Sequence, residues 1–169
     1  MKDYISLAKS TIEKYIKENK VISLPKNLPK KFYEKKAGVF ITIKKDGKLR
    51  GCIGTFLATK ENIAKEIIEN SISAATKDYR FMPVEESELP FLSYEVYILQ
   101  NPEKILSIES LNPKKYGILI KSKDKSGLLL PGLDGIENAQ EQISIACQKA
   151  DISSKEKIEI FRFLAKKFE

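Results

Sequence analysis

The chain has 169 residues, of which 42% are hydrophobic and 31% charged, a formal net charge of +7 and no histidine. That length suits one domain with a real core, in one or two lobes, and no apolar run approaches the roughly 18 residues of a membrane span. The want of histidine excludes Ser-His-Asp and Cys-His catalysis within the chain and His-ligated zinc, and two cysteines cannot hold a Cys₄ zinc site or iron–sulfur cluster.

The first nineteen residues are charged and amphipathic, without the continuous apolar stretch of a secretory signal. Free thiols and a cytoplasmic location are therefore expected. Ile5, Ala8, Ile12, Tyr15 and Ile16 recur at helical spacing and predict a helix over 3–18. Pro25 and Pro29 punctuate a loop, and 30–36 is a polar lead into the first strand. Residues 1–36 carry ten lysines against four acids. Such a patch can attract nucleic acid or another anion, but arginine and interleaved aromatics are scarce there, which favours a solvated lysine surface.

Val39 to Ile43 is β-branched and aromatic, hence strand. Asp46-Gly47 is a hairpin signal, because both central residues of a type I′ turn need φ > 0. The returning strand, 48–55, contains Leu49-Arg50-Gly51-Cys52-Ile53-Gly54-Thr55. Glycine inside a strand marks a bulge or a close approach by another group, so Gly51 and Gly54 suggest that something packs or binds at Cys52. Residues two apart on a strand share a face, which puts Arg50 beside Cys52, where a guanidinium would favour the thiolate. The structural alternative is a small apolar residue in the core.

Thr59 is a plausible N-cap for a helix with an apolar stripe through Ile63, Ile67 and Ala74, ending near Lys77. Asp78 to Pro83 mixes charge with aromatic rings; Asp78 and Arg80 could pair with each other or with groups near Cys52. Phe91 to Leu99 alternates, with Leu92, Tyr94, Val96 and Ile98 on one face and Ser93, Glu95 and Tyr97 on the other. Asn112 to Lys115 is a turn, 117–120 a strand, 121–126 a charged hairpin loop and 127–130 the return, stopped by Pro131. Asn138 and Glu141 have capping-box spacing for a helix to about Lys149, with Cys147 on its apolar stripe and so structural. Ser153 with Glu156 could open a last helix, but the β-branched and aromatic content favours a strand over 157–164. No internal repeat, phosphate loop or dinucleotide fingerprint is visible.

Leu49 to Thr55, then Asp78-Tyr79-Arg80-Phe81-Met82-Pro83, Lys115-Tyr116-Gly117 and Gly127-Leu128-Leu129-Leu130-Pro131, together resemble the signatures of the AMMECR domain family. Asn62-Ile63-Ala64 and Glu141-Gln142-Ile143 are similar to its bacterial branch, the AmmeMemoRadiSam system protein A. The resemblance runs from about Tyr4 to about Phe168. It implies a single AMMECR-like domain over 1–169, an α+β fold of antiparallel hairpins with packed helices. It also implies work beside Memo-like and radical SAM proteins, which would themselves carry any iron–sulfur cluster.

Three functions are compatible with these residues. In the first, the chain is an enzyme or enzyme component. Cys52 is then nucleophile or thiol, activated by Arg50; Arg50 and Arg80 bind an anionic small molecule, Asp78 or Glu95 orients groups or moves protons, and Phe81, Glu95, Gly51, Gly54 and Pro131 join Arg80 as substrate-binding candidates. No cofactor or metal is expected, and any general base is a carboxylate, lysine, tyrosine or thiolate. In the second, the chain is a non-catalytic accessory to the Memo-like and radical SAM partners. The third, weaker, is nucleic-acid binding through Lys20 to Lys36.

Overall fold

The computed structural model describes residues 2–153 and 155–169; Met1, and Ser154 within the stretch that could have opened a last helix, lie outside them. The chain divides into two compact units, residues 1–99 with 166–169 and residues 100–165. Among the described residues, no helix is long and apolar enough to cross a membrane.

The first unit opens with α1 (Lys2–Glu18), followed by a short α2 (Lys31–Glu34) in place of the expected polar lead. That turn buries Phe32 completely and stacks it on Tyr4 at 4.4 Å between ring centroids. Strands β1 (Val39–Lys45) and β2 (Lys48–Gly54) form the predicted hairpin, with positive φ at both Asp46 and Gly47. Next come α3 (Ile63–Thr76), a 3₁₀ turn over Glu86–Phe91 and β3 (Leu92–Leu99). The sheet order is β2-β1-β3-β8, where β8 is Ala165–Phe168. Val39, Ile41 and Ile43 with Tyr94 and Val96 face the core, and α3 and α1 supply Ile63, Ile67, Leu7, Ala8 and Ile12. The buried stripe of α1 is centred on Tyr4, Leu7 and Thr11, while Ile5, Tyr15 and Ile16 sit at its margin.

The N-cap of α3 is Asn62, whose side chain accepts Lys65 N–H, and not Thr59. Thr59 serves another purpose. The buried Glu66 carboxylate accepts its N–H at 2.8 Å and its hydroxyl at 2.9 Å, together with Thr55 Oγ1 at 2.5 Å and Lys60 N–H at 2.8 Å. This carboxylate therefore fixes the loop that leaves β2.

The second unit holds β4 (Glu103–Lys104), β5 (Gly117–Ser122), β6 (Lys125–Leu129), α4 (Ala139–Lys149) and β7 (Glu159–Phe163), with sheet order β4-β7-β5-β6. The capping box at Asn138 and Glu141 forms as the spacing predicted. The closing segment is strand: β7 lies antiparallel to β5, and Glu156 accepts Ser153 N–H in a turn instead of starting a helix.

Although no repeat is visible in the sequence, the two units share a topology. Each is a hairpin, a helix and a strand, with the third strand beside the first: β2-β1-β3 in one and β6-β5-β7 in the other. Each also places a glycine of the hairpin's second strand against an alanine carbonyl of the helix. A Cβ on Gly51 would lie 2.3 Å from the Ala74 oxygen, and one on Gly127 2.1 Å from the Ala146 oxygen. Strand glycine here lets helix backbone approach sheet backbone.

Candidate functional site

Cys52 lies on β2, the edge strand of the first unit's sheet. It is opposite Thr42 on β1, which is opposite Glu95 on β3, so the three share one row. Because the Cys52 N–H is directed away from β1, Cys52 and Thr42 form a non-hydrogen-bonded pair, whose side chains stand closest. Cys52 Sγ and Thr42 Oγ1 are 3.3 Å apart. The thiol is half-buried with a polar neighbour, not sealed in the core.

The outward edge of Cys52 is taken up by the 78–80 turn. Asp78 Oδ2 accepts the Cys52 N–H at 2.8 Å, and Arg80 Nη2 approaches the Cys52 carbonyl at 3.5 Å. Arg80 also grips Asp78 with two donors, Nε at 2.9 Å and Nη2 at 2.7 Å. An acceptor and a donor held together thus stand where a neighbouring strand would be, which blunts an exposed edge. These Arg80 bonds hold Asp78 at about 2, with the Cys52 and Arg80 N–H groups adding to them against the cost of burial. Both alternatives expected for Asp78 and Arg80, pairing together and reaching Cys52, are realised by one carboxylate.

Arg50 points elsewhere. The register shifts between Ile43 and Lys44, leaving Arg50 without an opposite residue; such a bulge re-aims a side chain. Its guanidinium is bidentate on Glu88, Nε at 2.9 Å and Nη2 at 2.7 Å, and donates to the Met82 and Pro83 carbonyls. Glu88, also bonded by Lys45, is held at about 2, chiefly by Arg50. The Phe81 ring is near two cations, 6.0 Å from Arg50 and 5.5 Å from Arg80. Arg80, its pKa raised chiefly by Asp78, is the guanidinium that reaches Cys52, at the carbonyl oxygen.

On the other side of Thr42, Glu95 Oε1 accepts Lys44 Nζ at 2.6 Å and Lys167 Nζ at 2.9 Å, and Oε2 accepts the Tyr97 hydroxyl at 3.2 Å. Burial alone would raise the Glu95 pKa, but the two ammonium groups outweigh it and bring it below the ordinary value. Burial and the Glu95 charge push Tyr97 up to about 12.

Of the expected site residues, Cys52, Asp78, Arg80, Arg50 and Phe81 form one connected cluster, with Glu95 in the Cys52 row. Gly51 admits α3, and a Cβ on Gly54 would meet the Phe40 ring at 2.3 Å, so both have packing reasons. Pro131 belongs to the second unit, just beyond β6. Cys147 packs against the second unit's core, as read from its stripe, and lines a groove of about 850 Å³ with Lys125, Glu156 and Ile152. Thr42, Lys44, Glu88, Tyr97 and Lys167 are additions made by the structure. Thr42 was hidden by the bulge: an unbroken two-residue hairpin would pair it with Gly51.

The AMMECR1 family model matches residues 5–168. A Thermotoga maritima protein is 42% identical over 167 residues, covering 98% of this chain and 96% of its own length. A Clostridium acetobutylicum protein is 41% identical over 162 residues; the match covers 95% of this chain but 34% of that protein. A crystal structure of a Pyrococcus horikoshii protein superposes with a TM-score of 0.89 at 30% identity, covering 98% of this chain and 89% of the other. The chain belongs to the AMMECR1 family.

Proposed function

We propose that this AMMECR1-family chain acts, as a single domain over 1–169, as an enzyme component that presents the Cys52 thiol on a rigid edge to a substrate or partner. Arg80 offers the exposed side of its guanidinium to an anionic group beside the thiol, Phe81 backs it, and Asp78 fixes the Cys52 backbone. Arg50 acts at one remove, by holding the 82–83 carbonyls.

The observation that carries this reading is the state of the carboxylates. Asp78 and Glu88 sit at about 2 and Glu95 lies below its ordinary value, each held by cations. Groups so acidic are poor proton acceptors near neutral pH. Chemistry at this site therefore rests on the thiol, or on groups brought by another molecule, more than on acid–base work by these side chains.

The accessory reading, with Memo-like and radical SAM partners in the cytoplasm, follows from the family branch. It is favoured by the Clostridium acetobutylicum relative, in which the matching region is part of a much longer chain. Nucleic-acid binding through Lys20 to Lys36 has no geometric support beyond charge.

The test is the pH dependence of Cys52 alkylation in a Cys147→Ala variant. An apparent pKa well below the free value of roughly 8.5 supports an activated thiol. Reaction only after unfolding would make Cys52 a packing residue and sink the thiol role.

A further inference from the structure

The Glu95 cluster has a charge pattern that the thiol reading does not use. Lys44 and Lys167 reach Glu95 from β1 and β8 and bond to the same oxygen. Two ammonium groups thus share one carboxylate, and each repels the other. Glu95 is nearly buried, its side chain 9% exposed, while the Lys44 and Lys167 side chains are 34% and 39% exposed. A fixed internal carboxylate therefore holds two cations side by side with their outer donors toward solvent. One further anion is already in place: Lys167 Nζ also binds Glu169 Oε2 at 2.6 Å, and that carboxylate is 69% exposed. Lysine recognises oxyanions as a compact point charge with three donors, so one Nζ can serve an internal and an external acceptor together.

We infer that Lys44 and Lys167, aligned by Glu95, form a seat for the carboxylate of a small molecule, and that Glu169 occupies the Lys167 half of this seat when no ligand is bound. The local charge selects the class. Two lysines less Glu95 leave one uncompensated positive charge, which a monocarboxylate cancels and a phosphate dianion would reverse. Thr42, in the Glu95 row, connects the seat to Cys52 across a single strand. The seat rests on the lysine geometry and not on the reactivity of the thiol.

The experiment is a titration of the isotope-labelled full chain with sodium acetate at constant ionic strength, so that screening stays fixed. Amide shifts are followed by NMR, with sodium phosphate as a parallel arm. Saturable acetate shifts at Lys44, Glu95 and Lys167 are expected. Lys44→Gln and Lys167→Gln should each weaken binding at least about threefold, the scale of one exposed ion pair. Glu169→Ala should tighten it by vacating the seat. Glu95→Gln should weaken it, because the two ammonium groups lose the carboxylate that holds them side by side, and unchanged or tighter binding overturns that aligning role. Shifts that never saturate, or that ignore both lysine variants, overturn the seat. Saturation by phosphate at lower concentration than acetate overturns the carboxylate assignment, and an unaltered Glu169→Ala response overturns the self-occupied state. Slow Cys52 alkylation leaves all these outcomes unaffected.

Discussion

Asp78 Oδ2 receives the backbone N–H of Cys52 at 2.8 Å, joining the turn after α3 to the edge strand through a carboxylate also clamped by Arg80. The same atom thus orders the strand that carries the thiol and neutralises the nearest guanidinium.

This arrangement makes acid stability depend on two carboxylates. Asp78 and Glu88 have folded pKa values of about 2, below their ordinary 3.8 and 4.5. A depressed folded value contributes stability that is present above the ordinary pKa and lost as pH falls through the folded one. Each is expected to contribute on the order of 2 kcal/mol, disappearing between about pH 4.5 and 2. Urea unfolding at pH 7, 5 and 3 should show a flat upper range and a steep fall below, and Glu88→Gln should shallow that fall. An unchanged slope in Glu88→Gln would contradict the assignment.

Glu66 is a further buried carboxylate with a structural role. Replacing it with alanine takes the buried acceptor away from four part-buried donors of Thr55, Thr59 and Lys60. The expected cost is about 3 kcal/mol, read as a lower urea midpoint at unchanged m-value. A loss below about 1 kcal/mol would mean that the loop finds other acceptors.

At Gly51 and Gly127 the obstacle to a methyl group is a helix carbonyl, which cannot swing aside as a side chain can. Gly51→Ala and Gly127→Ala should each cost about 3 kcal/mol, the upper range of overpacking. Gly135→Ala meets no atom within 4 Å but has φ of +78°, so only backbone strain of about 1 kcal/mol remains. Thermal unfolding should place Gly51→Ala and Gly127→Ala together, well below Gly135→Ala.

Arg50→Lys keeps the charge but loses the planar fork that reaches Glu88 and the Met82 and Pro83 carbonyls together. The 78–83 turn should open more readily, with amide exchange about tenfold faster at Arg80 and Phe81 and little change in α4. Equal exchange in both proteins would show that Asp78 and Phe81 hold the turn unaided.

Elements with strong periodicity or turn chemistry were legible in the residues: the Asp46-Gly47 hairpin, the alternation of β3, the capping box at Asn138. The cap of α3 was missed because Thr59 and Asn62 are both good capping residues, and only the fold sends Thr59 to Glu66. The site was half legible for a related reason. Cys52, Asp78 and Arg80 stand out as residue types, but their meeting depends on a bulge that shifts the hairpin by one residue. Lys44 and Lys167, 123 positions apart in the chain, meet Glu95 only through sheet order, which no local pattern encodes.

The position of β8 also has a consequence during synthesis. Residues 1–99 can assemble three strands as they leave the ribosome, yet the fourth arrives only after all of 100–165 has been made. At the 5–20 residues per second typical of translation, that delay is several seconds. Throughout it, Glu95 has Lys44 but not Lys167, and the β3 edge lacks its neighbour. The nascent chain is thus open to strand exchange at β3 until 165–168 has been made, and the paired lysines mark a chain whose first sheet has closed.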